Sequence, residues 1–165
     1  MLVTVILSLV LMAGLFLMLW SAVAFIQDKR FFSSAPKDVC AAVRPRPEER
    51  FPGARRLGWK LMILAVALML FALIYAGLDG VEKGFGFWQL FTRYLIMLLA
   101  LKAFDILFFD LVLLCHSNFF PRYYPEVKGI VGPHQFGYNW REHLLMIVLS
   151  PVAAAALAGL CMLFR

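Results

Sequence analysis

The chain has 165 residues, 63% of them hydrophobic and 16% charged, with 16 Lys and Arg against 10 Asp and Glu. An ordinary soluble domain is about 45–50% apolar and about 25% charged, so a globule with a polar surface is excluded. Cys40, Cys115 and Cys161 are far apart and unpatterned, which leaves no disulfide framework and no Cys-rich zinc motif.

Residues 2–27 carry no charge. About 20 apolar residues suffice to cross the ~30 Å hydrocarbon layer. Such a segment must be helical, because lipid offers no partner for backbone N–H and C=O groups. The segment lacks a basic leader, and its apolar run exceeds the roughly 7–15 residues of a signal-peptide core. It is read as a span.

Residues 28–58 are expected to form a basic cytoplasmic loop. Lys29, Arg30, Lys37, Arg44, Arg46, Arg50, Arg55 and Arg56 face four acids there, Asp28, Asp38, Glu48 and Glu49. Basic residues in short loops stay on the cytoplasmic side, which places both termini outside a plasma (inner) membrane. Prolines at 36, 45, 47 and 52, together with dense charge, discourage a packed unit. The basic residues are expected to touch anionic lipid headgroups. Topology already accounts for them, so no nucleic-acid partner is expected.

A second span is expected over about 59–78, and a third over about 88–117. The third carries Lys102, Asp105 and Asp110. Each such residue at mid-helix costs about 2.5–3.5 kcal/mol on an insertion scale, roughly 7–10 for three. Fourteen Leu, Ile, Val and Phe residues between 95 and 114 return only about 4–8 kcal/mol on that scale. The charges must therefore pair, face other helices or line a wet cavity. Regular α-helical geometry puts Lys102, Asp105, Phe109, Val112 and His116 on one stripe, with Lys102 between the two aspartates. Arg93, nearer the outer end, is expected to reach for headgroups.

Residues 118–139 form the third connection, rich in Pro, Gly and aromatic residues. An ordered cytoplasmic segment lying at the membrane interface is expected there. Asn139 and Glu142 have the spacing of a capping box at the head of a fourth span, about 140–164. Pro151 should kink that span, and Ala155 and Gly159, four apart, offer a small face for close packing. The whole chain is thus read as a single domain, an all-α integral membrane protein with a four-transmembrane-helix bundle.

Two groups of residues carry chemistry. Lys102, Asp105 and Asp110 suit a proton, ion or polar-substrate pathway. A wall of four helices is thin, so a transport path would form most naturally in a homo-oligomer, as an oligomeric channel or proton-coupled small transporter. His116, Glu126, His134 and His143 fall near the inner surface with Glu142. They are candidates for acid–base catalysis on a lipid or quinone-like substrate, with His134 foremost. Histidine beside carboxylate also suits a metal, but no tight ligand spacing is present and no cofactor is expected. The third class is an accessory subunit that needs a partner membrane subunit to cover the charged helix.

Overall fold

The computed structural model describes residues 1–32 and 35–164, the side chain of Phe32 excepted. No strand occurs among the described residues. Helix α1 (Leu2–Ser21) continues as a π-helical turn, Ala22–Ile26. Gln27 ends it in the left-handed region at φ 53°, unusual for a residue with a side chain. Helix α2 (Lys37–Ala42) is a short turn in the first connection. Helix α3 runs from Ala54 to Glu82 and α4 from Phe87 to Phe104. The chain then stays helical but widens to π winding over Asp105–Cys115. After the short α5 (Phe119–Tyr123), helix α6 takes Trp140–Leu163, with Pro151 inside it.

Leu2–Ile26, Ala54–Glu82 and Trp140–Leu163 are each long and apolar enough to cross a membrane. Their outward faces are apolar, as lipid requires. Ile63, Phe71 and Ile74 of α3 and Leu144, Val148 and Val152 of α6 are all exposed.

Helix α4 packs against α1, α3 and α6, and so forms the inner wall of the bundle. Its buried residues Leu90, Tyr94 and Met97 meet Leu7 and Leu11 of α1, Ala72 and Ala76 of α3, and Ala154 and Ala158 of α6. None of these is more than 4% exposed, although a hollow of about 490 Å³ lies beside Tyr94 between α3 and α6. Small residues allow the close approach. The packed pair on α6 is Ala154 and Ala158, one position earlier than the expected Ala155 and Gly159. A Cβ on Gly159 would meet nothing within 4 Å.

The first connection departs from expectation. It is packed, not loose. Val39 and Val43 bury fully against Tyr124 and Val127 of the third connection and Val23 of α1. Each Val removed from water in this way contributes about 1.5–3 kcal/mol, enough to order a proline-rich loop. Polar clasps add to it. Gln135 Nε2 donates to Asp38 Oδ2 at 2.6 Å, and Arg46 Nη2 to Glu126 Oε2 at 2.9 Å. Arg46 and Arg50 also lie over the rings of Tyr124 and Tyr123, at 4.6 and 5.1 Å. Several arginines expected at headgroups are therefore held by protein.

The capping box is absent. Asn139 makes no side-chain bond to the head of α6, and the backbone carbonyl of Asn139 accepts from Glu142 and His143 instead.

Candidate functional site

At the end of the bundle where the two long connections meet, the helices part around a cavity of about 290 Å³. Lys102, Asp105 and Asp110 line it from α4 and its π-helical continuation. Glu142 and His143 line it from the head of α6, Tyr138 from the third connection just before it, Leu19 from α1 and Val23 from the π turn that continues α1.

The π winding decides which side chains meet. In an α-helix, residues five apart diverge by about 140°, at ~100° per residue. The i→i+5 pattern of a π-helix stacks them. Asp105 and Asp110 thus both approach His143, whose buried ring comes from α6. His143 Nε2 lies 2.5 Å from Asp110 Oδ2, and His143 Nδ1 lies 3.9 Å from Asp105 Oδ2. Lys102 Nζ donates to the same Asp105 oxygen at 2.6 Å. Asp110 accepts from Nε2–H, which makes Nδ1 the proton-accepting nitrogen of the neutral ring. Nδ1 is buried and has no hydrogen-bond partner. The 3.9 Å to Asp105 is too long for a hydrogen bond.

Tyr138 stands at the cavity edge. Burial pushes its hydroxyl well above the ordinary tyrosine range, and the carboxylates of Asp110, Asp105 and Glu142 push the same way.

Not every expected residue joins this group. The shared stripe ends at Phe109. The change of pitch turns Val112 outward, 43% exposed, and leaves His116 exposed with Nδ1 bonded to its own chain at Leu111 O. Glu126 is occupied by Arg46 and by the backbone N–H of Arg44. His134 is exposed on the third connection, next to Gln135. Of the four histidine and glutamate candidates only His143 reaches the cavity. Lys102 takes Asp105 alone, and Asp110 goes to His143.

Arg93 does not reach for headgroups. It is 4% exposed, and its Nη1 donates to Asp79 Oδ2 and Ala76 O, both at 2.8 Å. Lys83 closes on the other Asp79 oxygen at 2.6 Å, and Phe85 lies under the guanidinium. This second charged group belongs to the opposite end of the bundle. It knits α3 to α4 and lines none of the cavity around His143. Among the described residues, no three His, Cys, Asp or Glu side chains are arranged to hold a metal ion.

Comparison of the chain with protein-family models, curated proteins and solved structures finds no match.

Proposed function

We propose that this is a four-span inner-membrane protein carrying a one-sided acid–base site for a membrane-borne substrate. The fourth span is α4 with its π-helical continuation, 29 residues from Phe87 to Cys115, sheltered by the other three. The basic first connection sets the cavity end at the cytoplasmic face, with both termini outside.

The observation that carries the reading is the chain Lys102–Asp105···His143–Asp110 beside a cavity. Asp110 fixes the tautomer and orientation of His143, as a carboxylate does for the histidine of a hydrolase triad. His143 Nδ1 is then the group that exchanges a proton, and Lys102 with Asp105 receives the polar part of the substrate. The buried cluster of Leu90, Tyr94 and Met97 with Leu7, Leu11 and Ala154 favours a site entered from one side over a pore through the chain.

The test compares lipid extracts by mass spectrometry from cells overproducing the wild type and His143→Gln. A lipid species that changes with the wild type and not with the variant supports the proposal. In parallel, the purified protein is placed in liposomes with an internal pH dye and an imposed proton gradient. Proton flux abolished by Asp105→Asn or Asp110→Asn would replace this proposal with the transport reading.

A further inference from the structure

The cavity around His143 does not stand alone. A second hollow of about 330 Å³ runs between α1, α4 and α6, lined by Leu15, Leu98, Leu101, Leu149 and Ala153. The two share Lys102, Asp105 and Met146 as a common border. Leu98 and Leu101 precede Lys102 on α4, and Leu149 and Ala153 follow His143 on α6. Both pairs therefore lie deeper in the bilayer than the charged group. The first chamber carries the charged cluster on walls that are otherwise mostly apolar, Leu19, Phe109 and Leu114 among them; a charged cluster toward the cytoplasmic surface above an apolar groove toward the midplane matches the polarity of a lipid of the inner leaflet.

The charges restrict the head. Asp105 and Asp110 lie on the first chamber and Glu142 lines it too, against a single Lys102 already bonded to Asp105. A phosphate would enter a site with surplus negative charge and find its one cation engaged. A second cation would gain little, since Asp105 and Asp110 each have a partner within hydrogen-bond reach. The unmet demand is the gap between His143 Nδ1 and Asp105 Oδ2. One hydroxyl oxygen, about 2.8 Å from each, would span it. It would give its hydrogen to one and accept from the other once that group carries a proton.

Resting on the acid–base reading above, we infer that the substrate is a long-chain alcohol. Its uncharged hydroxyl sits between His143 and Asp105, and its single apolar chain lies in the groove of Leu98, Leu101, Leu149 and Ala153.

The probe is a hexadecanol carrying a mid-chain diazirine, photolysed with the full-length protein in phosphatidylcholine vesicles, and the labelled residues are read by mass spectrometry. Labels are expected on Leu98, Leu101, Leu149 and Ala153. Ala153→Trp fills the groove from an exposed position and is expected to cut labelling at least tenfold. Leu149→Trp serves as a second variant, and both are checked for unchanged elution and helicity. Unlabelled hexadecanol should compete at least tenfold better than hexadecyl phosphate or hexadecylamine. Labelling spread over the outer faces of α3 and α6 and untouched by either Trp overturns the inference, as does equal competition by the charged analogues. The two readings fail separately. If groove labelling is alcohol-selective but the lipid change survives His143→Gln, the acid–base reading falls and the head-and-tail site stands. If the lipid change needs His143 while the Trp variants label normally, only the alcohol assignment falls.

Discussion

Asp105 and Asp110 are five residues apart on one helix, and both turn toward the same imidazole, that of His143, at 3.9 and 2.5 Å. Only the wider winding of Asp105–Cys115 makes this possible. A double-mutant cycle on Asp110→Asn and His143→Gln measures the contact. Couplings between membrane helices average about 0.6 kcal/mol and reach about 1.7. The buried hydrogen-bonded pair is expected near the upper end, on the order of 1.5 kcal/mol, read by reversible unfolding in mixed micelles. Glu142→Gln, on the exposed side of the same turn, is expected to show no coupling to Asp110.

The Arg93–Asp79 pair predicts an asymmetric result. Replacing one partner of a buried ion pair leaves the other charge stranded, at about 3–5 kcal/mol. Asp79→Leu strands the buried Arg93 and is expected to lower the thermal midpoint sharply, and Arg93→Leu less, since Lys83 still pairs with Asp79. Arg93→Leu combined with Asp79→Leu is expected to recover most of the loss, because an apolar pair of similar volume replaces the ions. A double variant no better than the single one would show that Arg93 acts chiefly through Ala76 O and Phe85.

Three glycines should respond differently to alanine. At Gly58 a Cβ would sit 3.0 Å from Ile26 N and 2.9 Å from Phe25 Cβ. Backbone must then shift between α3 and the end of α1, at a cost of about 1–3 kcal/mol. At Gly80 the nearest atom, 2.5 Å away, is Leu90 Cδ2, a side-chain tip that can turn aside. At Gly159 nothing lies within 4 Å. There the better helix propensity of Ala, about 0.8–1.0 kcal/mol, is expected to raise stability. The order of thermal midpoints is the test: Gly159→Ala highest, Gly58→Ala lowest.

The clasp between the first and third connections should open in acid. Burial raises the Glu126 carboxyl, but backbone N–H groups, that of Arg44 included, and the Arg46 guanidinium outweigh it and hold the group below its ordinary value. Asp38 is likewise lowered: the bonds from Gln135 and from backbone N–H groups, with the field of His134, exceed its desolvation. A carboxyl lowered on folding stabilises at pH above its unfolded value, and that contribution disappears as pH falls through the folded one. Spin labels at Lys37 and Lys128 are expected to give a narrow distance distribution at pH 7. It should broaden as pH drops below about 4, near the ordinary carboxylate range. Glu126→Gln should flatten the response.

Much of the fold was legible because three apolar runs are too long for anything but a membrane helix. The charged segment of α4 was recognised as an inner wall from its insertion cost alone. Its stripe was misdrawn beyond Phe109, because the π winding follows from packing against α6 and no residue pattern announces it. The partnership of His143 with Asp110 had an unused signal. The two sit near facing ends of consecutive antiparallel helices, which sets them at similar depth although the connection between them is long. Asp79 and Arg93 flank a short connection in the same way. Arg93 was expected to snorkel because its distance from the apolar centre was weighed without asking what lay across the turn. The packed first connection was hidden by its prolines and charges. Val39 and Val43 do not stand out among the apolar residues of that stretch, and Tyr124 and Val127, which help to cover them, come more than 80 positions later.

Tyr94 and Met97, at most 2% exposed, lie between His143 and the far end of the bundle. On the proposed one-sided reading, a proton exchanged at His143 returns to the compartment it came from. A charge that crossed the whole bilayer would feel about 2.3 kcal/mol per 100 mV, whereas one that enters and leaves by the same door does no net electrical work. On the proposed acid–base reading the reaction is accordingly electroneutral, and its turnover is expected to keep the same rate whether the cell is energised or its voltage has been collapsed.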